Sequence, residues 1–114
     1  MEWLVISRDM IQEFLKTFRD YVRNHCFTMW SRKENQQTLT ELGISIEEFK
    51  EILCKLNLND YHNGPYQDQQ YSYLECWIFK KTIKGEVFYL RLQVDDEKKV
   101  AICQSFHLPK YPMK

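Results

Sequence analysis

Lys80, Tyr89, Arg91, Ser105 and His107 bring together two fixed cations, a phenol, a hydroxyl and an imidazole, the side chains of a proton-transfer and anion-binding site. They fall in three runs that a pleated chain would sort onto two faces, with these residues on the same one. A further imidazole, His62, precedes Asn63-Gly64-Pro65, a turn sequence that would hold it in a defined pose. Imidazoles exchange protons near neutral pH, while lysine and arginine grip phosphate, arginine with a planar fork. An ordinary solvated sheet face is built of the same residue types, so the pattern alone does not establish a site.

The three runs are residues 75–83, 86–94 and 100–107. Between the first two, Lys84-Gly85 suits a two-residue hairpin turn, because glycine accepts positive φ. That turn sets Phe79 opposite Leu90, Trp77 opposite Leu92 and Lys80 opposite Tyr89. Asp95-Asp96-Glu97 breaks the chain before the third run. An even-sum pairing there puts Val100 and Ile102 beside Leu92 and Leu90, and Cys103, Ser105 and His107 on the face of Tyr89 and Arg91. The opposite face then carries Trp77, Phe79, Phe88, Leu90, Leu92, Val94, Val100, Ile102 and Phe106, which helices would cover in a two-layer domain.

The elements upstream supply those helices. Residues 1–6 are apolar and read as an edge strand or a segment folded onto the core. From Asp9, apolar residues recur at spacings of three and four (Met10, Ile11, Phe14, Leu15, Phe18, Tyr21, Val22), and Asp9 with Gln12 resembles a capping box. Residues 26–30 read as a short strand and residues 31–35 as a polar connection or helix start; Arg32 and Lys33 there could touch phosphate, although such pairs usually face solvent. Residues 36–42 form a short helix stopped by Gly43. Ser45 with Glu48 is a full capping box for a helix burying Ile46, Phe49, Ile52, Leu53 and Leu56. Residues 59–71 read as a long polar loop, and the tail from Leu108, with Pro109 and Pro112, as surface chain.

Size and composition bound the rest. The 114 residues make one domain. Sixteen basic and sixteen acidic residues cancel, so a nucleic-acid partner would have to be met by a local patch. Aromatic residues reach 15%, enough for stacking platforms or for an economically filled core. Cysteines at 26, 54, 76 and 103 show no Cys-x-x-Cys spacing and no signal peptide precedes them, so a reduced intracellular protein is expected, with no metal site. No apolar run reaches membrane-spanning length, so a soluble, cytoplasmic protein without membrane contact is expected.

Leu42-Gly43-Ile44-Ser45 ahead of a helix, Asp60-Tyr61-x-x-Gly64-Pro65-x-x-Asp68, Glu75-x-Trp77-x-Phe79, Gly85-x-x-x-Tyr89-Leu90-Arg91-Leu92 and Ser105-Phe106-His107 resemble, in order and spacing, the MqsR-type toxins of bacterial toxin-antitoxin modules. The similarity runs from about residue 9 to 107. It implies an α+β fold like that of the RelE-type ribonucleases, with N-terminal helices packed on one face of an antiparallel sheet. It also implies cofactor-free, metal-independent cleavage of messenger RNA, growth arrest, and neutralisation by a cognate antitoxin that often doubles as a DNA-binding repressor. Tyr89 matches a family tyrosine tied to activity. His107 and His62 match positions where the family often has lysine, so imidazole is a departure.

The strand pattern and the resemblance meet at Tyr89 and His107. Cleaving RNA without a metal requires a base for the 2′-hydroxyl, charge stabilisation at phosphorus and an acid for the 5′-oxygen. His107 or His62 is the candidate base, the other histidine or Tyr89 the acid or positioning group, and Lys80 and Arg91 the phosphate grip. Tyr61, Tyr66 or Tyr71 could stack on bases or merely pack on the loop. The alternatives are a toxin-like module that only binds a protein, and a nuclease that cuts messages on the ribosome.

Overall fold

Residues 6–71 and 73–108 are described by a computed structural model of the chain. The expected segment at Trp3, Leu4 and Val5 and the tail with Pro109 and Pro112 lie outside these residues, while Ile6 packs against the core.

Helix α1 spans Arg8–Arg23 and buries Ile11, Phe14, Leu15, Phe18 and Val22, the stripe expected from the apolar spacing. It opens two residues earlier than a capping box on Asp9 predicts. Ser7 is the cap, its hydroxyl accepting from the Met10 amide, and Met10 itself is 37% exposed. Strand β1 (Phe27–Met29) follows, then α2 (Lys33–Leu42), which starts before Gln36 and ends at Gly43 in the left-handed region at φ 67°. Helix α3 (Ile46–Cys54) has the predicted reciprocal Ser45–Glu48 box. It buries Phe49 and Leu53, whereas Ile46 is 42% exposed: the first turn of so short a helix overhangs the core. Leu56 is buried just beyond the helix end.

A 3-10 turn at Leu58–Asp60 leads into strand β2 (Tyr61–Gln67). The predicted loop over residues 59–71 is therefore largely a strand. The polar composition and the Asn63-Gly64-Pro65 turn sequence read as a loop, but β2 lies at a sheet edge, where proline is tolerated, and pairs with two irregularities. Gly64 sits at φ +107°, and a Cβ there would lie 2.7 Å from the Cys76 carbonyl oxygen, so the approach of β2 to its neighbour demands glycine.

Strands β3 (Glu75–Ile83), β4 (Glu86–Asp95) and β5 (Val100–His107) complete a five-stranded sheet in the order β1-β5-β4-β3-β2. The hairpin register is the predicted one, with Phe79 opposite Leu90, Trp77 opposite Leu92 and Lys80 opposite Tyr89. The sheet is mixed and not wholly antiparallel, because β1 pairs with β5 in parallel. The fold is α+β, with α1 and α3 over one sheet face and a core in which Phe14 stacks on Trp77 at 4.8 Å and Phe49 meets Phe106 at 4.5 Å.

Strand β5 departs from the even-sum ladder. His107, Phe106 and Ser105 keep the expected parity, and so the expected faces, but pair with Tyr89, Leu90 and Arg91, four residues along from the expected register; a bulge follows, and Cys103, Ile102, Ala101 and Val100 pair with Leu92, Gln93, Val94 and Asp95. Ala101 and Cys103 therefore face the core and Ile102 leaves it, the reverse of the expectation. An unbroken ladder would press the Gln104 amide into the apolar layer. The bulge turns Gln104 and Ser105 to the polar side and sets small side chains where α1 crosses β5.

Candidate active site

The sheet face opposite the helices is built in rows. His62 on β2, Lys80 on β3, Tyr89 on β4 and His107 on β5 form the first. Lys80 and His107 are the cross-strand partners of Tyr89 on either side, about 5 Å away through the backbone. His62 lies at the first irregularity of β2, between the pairs Tyr61–Phe79 and Asn63–Ile78. Its Nε2 is 3.4 Å from the Tyr89 hydroxyl, with ring centroids 5.4 Å apart. All four side chains are half-buried. The sheet thus gathers the three catalytic candidates and Lys80 from four strands.

Electrostatics divide the two imidazoles. Partial burial of His62, with the nearby Lys80 charge adding to it, holds its pKa below the usual 6.5, so the ring is neutral and basic at neutral pH. The His107 Nδ1 lies 2.7 Å from the Leu108 carbonyl, which can only accept. Nδ1 must therefore carry a proton, and in the neutral ring Nε2 is the free acceptor.

The second row holds Ile78, Arg91 and Ser105. Arg91 is exposed, and Ser105 Oγ accepts from Arg32 Nη1 at 3.1 Å. Arg32 is the extended residue before α2, and its guanidinium also lies 5.1 Å over the Trp30 ring. This cation, one of a pair that sequence alone would leave in solvent, belongs to the same face as Lys80 and Arg91. Its position depends on Asn35, which is fully buried and closes the stretch of β5 that β1 leaves unpaired. The Asn35 amide donates to the Trp30 and Gln104 carbonyls, and its oxygen accepts from the Phe106 amide. Nothing local in the sequence marks Asn35, since two of its three partners, Gln104 and Phe106, lie about seventy residues away.

The third row is closed over. Asp68, 5% exposed, takes hydrogen bonds from Gln93 at 2.9 Å and Gln104 at 3.1 Å on one oxygen and from the Gln70 and Tyr71 amides on the other. Burial works to raise its pKa, but these bonds and a contact from the Cys76 thiol outweigh it and hold the carboxyl below its usual value. Gln93 Oε1, within the same cluster, is a buried oxygen without a hydrogen-bond partner among the described residues.

Two of the tyrosines expected to stack on bases lie away from the first row. Tyr61 turns toward the helix-covered side, its ring edge-on to Trp77 and Phe79 and its hydroxyl donating to the Gly64 carbonyl, so it is unavailable for stacking. Its assignment to a loop hid the strand alternation that sets it and His62 on opposite faces. Tyr66 is 44% exposed and pairs with Cys76, two rows from Tyr89. The cysteines are free thiols, and burial pushes the pKa of Cys103 far up. Among the described residues, no three His, Cys, Asp or Glu side chains converge as metal ligands, and no helix is long and apolar enough to cross a membrane. Compared with known proteins, the chain matches no family model and no curated sequence.

Proposed function

We propose that the protein is a metal-independent endoribonuclease, an mRNA interferase of the MqsR type with a RelE-like arrangement, which acts in the cytoplasm and is restrained by a cognate antitoxin that is itself a DNA-binding repressor. The observation that carries this reading is the His62–Tyr89 contact of 3.4 Å in one solvent-facing row with Lys80 and His107. A lone imidazole on a wet face would be unremarked. An imidazole held neutral beside a phenol, a lysine and a second imidazole has the parts that phosphodiester cleavage needs.

In the mechanism, Lys80 and Arg91 bind the nonbridging phosphate oxygens and stabilise the charge that grows on them in the transition state. Neutral His62 removes the 2′-hydroxyl proton, and Tyr89 fixes the imidazole. The 2′-oxygen bonds to phosphorus as the bond from phosphorus to the 5′-oxygen breaks. His107, in its imidazolium form, protonates the leaving 5′-oxygen. The products are a 2′,3′-cyclic phosphate and a 5′-hydroxyl.

Incubation of the purified protein with a long RNA in the presence of excess EDTA tests this. Cleavage with cyclic-phosphate ends supports it; cleavage that EDTA abolishes, or 5′-phosphate ends, contradicts it. The zero net charge and the histidines at positions where MqsR-type toxins often carry lysine favour a second reading, a module that only binds a protein partner. RNA left intact, with tight co-purification of a neighbouring gene's product, would select it. Free RNA left intact while translated message is cut would point to a ribosome-dependent nuclease.

A further inference from the structure

On the same sheet face, beyond the row of Arg91 and Ser105, lies a depression of about 250 Å³ whose walls include Trp30, Tyr71, Tyr73 and Ile102, with Asp95 and Lys98 at one end. Three large rings meet there without stacking: Trp30 and Tyr71 at 6.1 Å and 78°, Tyr71 and Tyr73 at 6.3 Å and 73°. The rings line the depression without covering one another face to face, and Tyr71 and Tyr73 are 39% and 59% exposed. Soluble proteins seldom leave several aromatic rings together in water without a use for them.

The chain spends much of its buried polar chemistry on holding these rings. The two Asp68 bonds to the Gln70 and Tyr71 amides, together with Asp68 N–H to the Leu74 carbonyl and Leu74 N–H to the Tyr71 carbonyl, fasten the turn that carries Tyr71 and Tyr73. Gln93 and Gln104 pin that carboxylate to β4 and β5. Trp30 continues β1, its amide donating to the Cys103 carbonyl, and Arg32 joins it to the first two rows by lying over its ring while bonding Ser105. A track of cations thus runs from Lys80 through Arg91 and Arg32 to the aromatic depression, over a strand distance of about 13 Å.

We infer that this depression is a nucleobase subsite that binds an unpaired base of single-stranded RNA next to the scissile phosphate, with Arg32 holding the intervening backbone. The inference rests on the RNA-cleaving reading and supplies its substrate class: a strand whose bases are free to splay out, since a paired base cannot reach a ring.

The test is binding of a short fluorescent 2′-O-methyl RNA, which offers no 2′-hydroxyl for attack, to the full chain by anisotropy. Tyr73→Ala and Trp30→Ala should each weaken binding by roughly fivefold to a hundredfold, the range for loss of one base–ring stack. Trp30→Phe should restore most of it. A strand of the same length with abasic residues should bind weakly and equally to all variants. Tyr73 is exposed enough to replace without disturbing the fold, which unchanged thermal unfolding verifies. Wild-type affinity in both alanine variants, binding of the abasic strand by the wild-type protein as tight as that of the intact strand, or no RNA binding at all would each overturn the subsite. Ring-dependent binding with no cleavage of natural RNA would remove the nuclease reading and keep the subsite; cleavage with ring-independent binding would do the reverse.

Discussion

In the proposed mechanism, His62 is the residue whose protonation decides the chemistry. Partial burial first, and the Lys80 charge second, disfavour its imidazolium form and push its pKa below 6.5. If His62 is the base, cleavage must rise with pH along an acid limb whose inflection lies below 6.5. Lys80→Ala should move that inflection upward, and a histidine NMR titration of the free protein should show the same displacement. An inflection above 6.5, or one indifferent to Lys80, would contradict the assignment. The sign for stability is the same. Between the depressed pKa and 6.5 the unfolded chain binds a proton that the folded chain refuses, so the fold weakens as pH falls through that window. The face of Tyr89, Arg91 and His107 was readable from strand alternation. The partnership of His62 with Tyr89 was not, because alternation within β2 could be applied only once β2 was known to be a strand.

At the scale of elements, local signals were legible and distant ones were not. The Lys84-Gly85 turn and the Ser45 box act over a few residues, and both form as written. The β5 bulge answers instead to partners of Gln104 that lie on β2, β3 and α2 or just beyond them, and no window of sequence contains them. Asn35 is the clearest case, a helix residue that completes a strand edge. Asn35→Ala leaves the Phe106 amide and the Gln104 carbonyl without that partner in a buried position. It should cost about 3 kcal/mol in urea unfolding, and by loosening the start of α2 it should also release Arg32 from Ser105. A loss below about 0.5 kcal/mol would show that the edge is satisfied otherwise.

The whole molecule is neutral, yet Lys80, Arg91 and Arg32 concentrate positive charge on the face away from the helices. Neutrality argued against a nucleic-acid partner only so long as the charges were treated as evenly spread. With three cations contacting phosphates, the logarithm of RNA affinity should fall against the logarithm of salt concentration with a slope of about −2 for a single strand. A slope near zero would mean that this face does not meet the backbone. The central claim is that the His62–Tyr89 row performs cleavage, and the most direct measurement is single-turnover cleavage of free RNA by wild-type, His62→Ala and Tyr89→Phe proteins with matching circular dichroism and thermal unfolding. His62→Ala should be slower by about a hundredfold or more, as for loss of a general base, and Tyr89→Phe by about tenfold or more; wild-type rates in both folded variants would contradict the account.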